Sequence, residues 1–322
     1  MRKVAIMTTP DFGRAYWAKS LAARTRRLVR RAFLGSMGRH FGRSLVSGPD
    51  QVTRSLITGL TAAGFDVTVE PRSLRQGFDT VFVPTGLAAL QAALAAKAAG
   101  LVRQVVAGPN ICMSPVALEL DSAPALPDYY VMPSEWARRR WLGLQPWFPV
   151  PVVVAIAGIN ARDWQPSAAS AGRRRVLIYD KWGDASLSRD CQVAMELSGW
   201  SVDCLRYGKF TQSTYRRLLS EAVALVYLSK SESQGIALFE SWAMNVPSLV
   251  LDPASRGFRE GSPAPYLTNT TGTLFQNPAD LPSLVERVIA GAWHPRKWII
   301  ENGTDEATVR QLLQAIDATS ES

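Results

Sequence analysis

Short apolar runs alternate with helix-length amphipathic segments along most of the chain. VAIM (4–7), FDVTVEP (65–71), TVFVP (80–84), RQVVAGP (103–109) and YYVMP (129–133) have the length and composition of strands. Between the first two, GPDQVTRSLITGLTAAG (48–64) sets Val52, Leu56, Leu60 and Ala63 at helical spacing. That helix opens at Gly48-Pro49-Asp50 and ends at Gly64, a C-cap. Ser134 is placed to cap a helix over 135–142. The pattern pauses in PVVVAIAGINARDWQPSAASAGRRR (151–175), where one strand leads into an Ala, Ser, Gly and Pro stretch. Such a composition reads as a linker. Alternation then restarts with VLIY (176–179), SVDCL (201–205), VALVYL (223–228) and PSLVL (247–251), helices lying between them and a last helix over about 304–318. The β-α-β order predicts an α/β protein with parallel, doubly wound sheets. The expected organisation is a Rossmann-like domain over 1–165 with an insertion at 14–46, a second over 166–300, and a closing helix within 301–322.

Composition agrees with this and excludes other classes. A chain of 322 residues, 47% hydrophobic and 20% charged, suits two folded domains. No apolar run reaches the roughly 18 residues of a membrane span, since Gln91 and Lys97 break the Ala-rich run. The first apolar segment is too short for a secretion signal, so a cytoplasmic chain is expected. Cys112, Cys191 and Cys204 form no ligand-spaced cluster, and His40 and His294 lie far apart. Neither a zinc site nor a disulfide framework is expected, and the thiols read as free and buried.

The net charge of +9 is concentrated at one end: residues 1–45 hold eleven basic side chains against the single acid Asp11. On a helical wheel Leu21, Leu28, Val29 and Phe33 share one arc, while Arg24, Arg26, Arg27, Arg30 and Arg31 fill the other. A basic amphipathic helix suits an anionic membrane surface or the phosphates of nucleic acid. A solvated face packed on its own domain is the third reading.

The chemistry concentrates in VALVYLSKSESQGIALFESWAMNVPSLVLD (223–252). A buried strand runs into a small polar loop, and a helix opens near Ile236. Ligands of open α/β sheets bind at such carboxyl-end loops. Gly235 blocks nothing, and the amides of Gln234, Gly235 and Ile236 lie at a helix N-terminus suited to a diphosphate. Glu232 in the loop and Glu240 one turn inside the helix bracket that place. Glu240 suits a diol such as a ribose, and Glu232 suits a sugar beyond the diphosphate.

ESQGIALFESWAMNVPSLVLD resembles, almost position for position, the E-x7-E signature of the retaining GT-B glycosyltransferases of the family 4 type. The likeness extends to 47–69 and 151–166 in the first half, and to 268–289 and 296–316 in the second. It implies a GT-B fold, two Rossmann-like domains with parallel sheets facing across a cleft. It also implies a retaining, metal-independent hexosyl transfer from a nucleotide-diphosphate sugar, UDP- or GDP-linked, to a glycan or lipid-linked acceptor at the membrane surface. Glu240 would hold the ribose, Glu232 the transferred sugar, and Lys181 the diphosphate. Gln234, Gly235, Ile236, Tyr207, Gly208 and Gly13 would complete the donor site; Asp11, Asn110 and Ser114 would line the acceptor side. The second basic residue of the family's usual pair is not evident after Lys181, Arg189 being its substitute. No Asp-x-Asp motif is present to hold a metal, and no cofactor beyond the nucleotide sugar is expected. A GT-B enzyme acting on nucleic acid, a nucleotide-sugar epimerase, and a catalytically silent GT-B subunit at a membrane are the alternatives.

Overall fold

The structure is a computed structural model that describes residues 2–8, 48–111, 114–166, 174–291 and 293–320. Asp11, Gly13, Cys112 and the basic insertion with Arg24, Arg26, Arg27, Arg30 and Arg31 lie outside these residues. The chain divides into two compact units, Met1–Ala157 with Thr308–Ser322, and Gly158–Ala307.

In the first unit, β1 (Lys3–Ile6), β2 (Asp66–Val69), β3 (Phe78–Thr85), β4 (Val102–Asn110), β5 (Tyr129–Met132) and β6 (Val152–Val154) form one sheet in the order β2-β1-β3-β4-β5-β6. Every pairing is parallel. The helices are α1 (Gly48–Ala62), α2 (Leu87–Ala98) and α3 (Glu135–Leu144), the last capped by Ser134, whose hydroxyl accepts from the Ala137 amide at 3.1 Å. Both faces of the sheet are covered, so its strands read as apolar runs rather than alternating ones. Ala5, Val81, Val83 and Val105 pack with Leu90, Leu94 and Trp141. Val4, Ile6, Phe82 and Val131 pack instead with Leu60 and with Val309, Leu312 and Ile316 of the last helix.

The second unit carries β7 (Arg175–Asp180), β8 (Ser201–Arg206), β9 (Ala224–Leu228), β10 (Ser248–Leu251) and β11 (Gly272–Phe275), all parallel, in the order β11-β10-β9-β7-β8. Its helices are α4 (Ala185–Leu197), α5 (Gln212–Leu219), α6 (Ile236–Ala243), α7 (Leu281–Ile289) and the short α8 (Pro295–Trp298). One face of the sheet packs on α4 and α7 through Leu187, Cys191, Met195, Leu281 and Val285. Tyr179 and Tyr227 lie outside that cluster, stacked on each other, with Tyr179 against Tyr215 of α5.

Residues 296–316 are not one continuous helix. After α8 comes a π-helical turn, Ile299–Gly303, then a bridge between Ile159 and Thr304, and only then α9 (Asp305–Ser320). The thiols also divide: Cys191 is buried under β7, whereas Cys204 is exposed because β8 is the sheet's edge. Among the described residues, no helix is long and apolar enough to cross a membrane.

Candidate donor-binding site

β7 and β9 are neighbours, but the chain runs from β7 out to the edge strand β8 before returning to β9. Strand order therefore reverses between β7 and β9, and the crevice beyond the carboxyl ends at such a reversal is where open α/β sheets bind ligands. Lys181 follows β7 directly, its amide donating to the Leu228 carbonyl at the end of β9 (2.9 Å). Glu232 follows β9 by four residues. The two side chains meet, Lys181 Nζ lying 2.7 Å from Glu232 Oε2.

Glu232 is buried and held on every side. Its Oε1 accepts from Tyr227 Oη at 2.7 Å and Ser229 Oγ at 2.9 Å, and its amide donates to the Ser262 carbonyl at 2.7 Å. Burial and the neighbouring Glu232 carboxylate push the Tyr227 phenol well above its ordinary range, so it stays a proton donor to Glu232. Lys181 also sits 4.9 Å above the ring of the exposed Tyr207, at the end of β8 beside Gly208. An ammonium over an aromatic face is attracted by the ring quadrupole.

Gly235 turns the chain into α6 with φ +87°, and a Cβ there would stand 2.9 Å from Leu238 Cδ1. Only glycine takes that conformation without strain. The turn puts the first amides of α6 in front of Glu232, where a helix has no internal acceptors for them. Gln234 is buried and Ile236 half-buried. Beyond the first turn α6 is mostly apolar and buried: Phe239 stacks on Trp242, and both meet the edge of Trp298. Arg296 closes the far end by donating to the carbonyls of Ala243, Trp164 and Ala161.

That packing buries Glu240. Its Oε1 accepts from Gln212 Nε2 of α5 at 2.7 Å. Burial raises its pKa from the usual 4.5 to about 7, with Gln212 and the nearby Arg216 guanidinium pulling the other way. Tyr179 links the two glutamates. Its ring stacks on Tyr227 and meets the edge of Tyr215, and its phenol is raised first by burial, then by Glu240 and Glu232.

The second unit thus gathers Lys181, Tyr207, Gly208, Glu232, Gln234, Gly235, Ile236 and Glu240 on one edge of its sheet. Asn110 and Ser114 belong to the first unit: Asn110 ends β4, and its carbonyl accepts from Thr85 Oγ1 at 2.9 Å. Arg189 is exposed on α4. A basic group that sequence reasoning passed over is Lys230, at the end of β9, whose ammonium lies 4.6 Å from the Phe258 ring and 5.4 Å from that of Trp182. Gln212, Tyr179 and Tyr227 were also passed over. Tyr227 sits in the quoted strand itself, two residues before the loop, where side-chain alternation would have turned it to the face opposite Val226 and Leu228. Among the described residues, no cluster of three or more His, Cys, Asp or Glu is placed to hold a metal ion.

The first unit holds a small apolar pocket of about 40 Å³, lined by Val52, Leu56, Phe82, Val106, Val309 and Leu312 among others.

No protein-family model and no curated protein matches the sequence. Solved structures do match in shape. Sucrose-phosphate synthase from Thermosynechococcus elongatus aligns with a TM-score of 0.57 over 100% of both chains at 12% identity. The Anabaena protein HepE, solved with UDP-glucose, aligns at 0.51 over 100% of both chains, again at 12% identity. S. aureus TarM, solved with UDP, aligns at 0.51 and 12% identity over 74% of this chain, which spans 55% of TarM. The fold is GT-B. In GT-B terms the unit formed by Gly158–Ala307 is the second Rossmann-like one, and its β7–β9 reversal holds the cluster described above.

Proposed function

We infer that the chain is a retaining glycosyltransferase that takes a hexosyl group from a UDP- or GDP-sugar and passes it to a glycan or lipid-linked acceptor. The observation that carries this reading is the Lys181–Glu232 pair at the strand-order reversal, one loop from a glycine-opened helix that buries Glu240. The diphosphate would lie between Lys181 and the first amides of α6, the ribose at Glu240 and the sugar at Glu232. Two shape relatives solved with UDP or UDP-glucose support a uridine nucleotide as the first ligand to test.

As the bond from the anomeric carbon to the diphosphate breaks, charge grows on the departing oxygen. Fixed amides and a cation suit that charge, because they need not reorganise as it forms. Lys181 and α6 can supply this stabilisation without a metal. The acceptor oxygen bonds to the anomeric carbon, and its proton passes to the departing phosphate. Glu232 would serve as an anchor for sugar hydroxyls: Oε1 already accepts from Tyr227 and Ser229, while Oε2, beside Lys181, keeps a lone pair for one more donor.

Peripheral attachment to the inner face of the membrane, and with it a lipid-linked acceptor, is supported by the tip that follows α3. There Trp147 is 91% and Leu144 54% exposed, beside the exposed Arg139 and Arg140. Tryptophan with arginine is a pairing that membrane–water interfaces favour.

The test is nucleotide release from UDP- and GDP-sugars in EDTA, with and without a lipid extract. Release that requires the extract, with a glycolipid whose anomeric proton coupling matches the donor's, supports the reading. Inverted coupling would remove retention, and release without the extract would point to hydrolysis or epimerisation.

A further inference from the structure

The way α5 is fastened to α6 is not explained by donor contacts alone. Thr211 caps α5, its hydroxyl accepting from the Thr214 amide at 3.2 Å and lying 2.9 Å from the Ser213 and Thr214 hydroxyls. Two side chains then cross to α6. Tyr215 Oη donates to the Ala237 carbonyl at 2.8 Å, and Gln212 Nε2 to Glu240 Oε1 at 2.7 Å. The donors are three residues apart on α5 and the acceptors three apart on α6. Residues at that spacing share a helix face, so the pair sets both the distance and the rotation between the helices. Tyr215 is fully buried against Tyr179, which fixes α5 to the sheet as well.

Glu240 is 7% exposed, and Gln212 engages only one of its two oxygens. Among the described residues no donor reaches Oε2. A carboxylate free to rotate would present either oxygen, or both at poor angles, to an incoming diol. One anchored through Oε1 presents Oε2 in a single direction. We propose that Gln212 is a positioning residue for nucleotide recognition, holding Glu240 so that Oε2 is the acceptor for a ribose hydroxyl. The proposal rests on the donor-site reading above. It adds a determinant on a different helix and makes ribose over deoxyribose the property that helix controls.

The experiment is calorimetric titration of the full chain with UDP and GDP, each beside its 2′-deoxy counterpart, for wild type and Gln212→Met. A hydroxyl bonded to a buried carboxylate should make the wild type prefer the ribonucleotide by about tenfold or more. In Gln212→Met that preference should fall to about twofold or less, with the deoxynucleotide affinity nearly unchanged. A residue that only supports the fold would weaken both nucleotides together and keep the ratio, and that result overturns the proposal. Gln212→Leu, which fills similar space and donates nothing, serves if the methionine variant does not fold. Wild type binding neither nucleotide would overturn the donor-site reading and this proposal with it. Wild type binding both equally would overturn only the proposal.

Discussion

Glu240 titrates near neutrality because a mostly apolar helix carries it into a buried setting. Its folded pKa of about 7 lies above the usual 4.5, so the folded chain holds an extra proton between those values. Stability contributed by that proton is present at low pH and declines as pH rises through about 5 to 7. The span corresponds to a difference on the order of 3 kcal/mol. Glu240→Gln removes the decline. Thermal scans should find its midpoint equal to wild type at pH 5 and several degrees higher at pH 8. Parallel curves at the two pH values would contradict the burial argument. Lys181→Ala acts differently, leaving Glu232 without its cation and the leaving group without its counter-charge. Steady-state kinetics should record a fall in kcat of about a hundredfold, larger than any rise in KM. Lys181 and Glu232 were legible as residues, since each lies within a few positions of a strand end, and Glu240 because it lies about one turn inside the helix that follows the loop. Gln212 was not legible: it is 28 positions from Glu240, and only tertiary packing brings an ordinary helix-start glutamine onto it.

At the scale of elements, the site depends on the turn from β9 into α6. Gly235→Ala would place a Cβ in the left-handed region and against Leu238. The expected cost is about 1–2 kcal/mol of stability together with displaced amides. Chemical denaturation should register the first, and a loss of UDP affinity exceeding that of a surface control the second. Unchanged affinity would mean that the α6 amides do not hold the diphosphate. The elements themselves were largely readable, because doubly covered parallel strands are apolar runs and the helices between them have clear caps. β11 was the strand that pattern reading passed over. GTLF is four residues at a sheet edge, with Leu274 exposed, and begins at a glycine pressed against the Ser248 carbonyl. The last helix, expected over about 304–318, is α9 at Asp305–Ser320, while the bridge from Thr304 to Ile159 just before it is a long-range contact that spacing does not show.

For the whole molecule, the chain leaves the first unit at Ala157 and returns to it at Thr308, so α9 completes the core begun by β1. Removing residues 305–320 should therefore destabilise the first unit, which limited proteolysis would report as rapid loss of the N-terminal fragment while the second unit persists. Equal survival of both fragments would argue that α9 is dispensable. Attachment to a bilayer belongs to this scale too. Trp147→Ser should lower co-sedimentation with anionic vesicles several-fold and leave UDP binding intact; a change in UDP binding alone would place Trp147 in the donor site instead. The account as a whole stands on nucleotide-sugar binding by the second unit. The most direct measurement is a thermal shift in EDTA against UDP-, GDP-, TDP- and CMP-sugars, for wild type and Glu240→Ala. At a hundred times its dissociation constant a ligand adds about 2.7 kcal/mol, which is readily resolved. The account predicts a raised midpoint for wild type with a UDP- or GDP-sugar and none for the variant. No shift with any of the four, or an equal shift in both proteins, would contradict it.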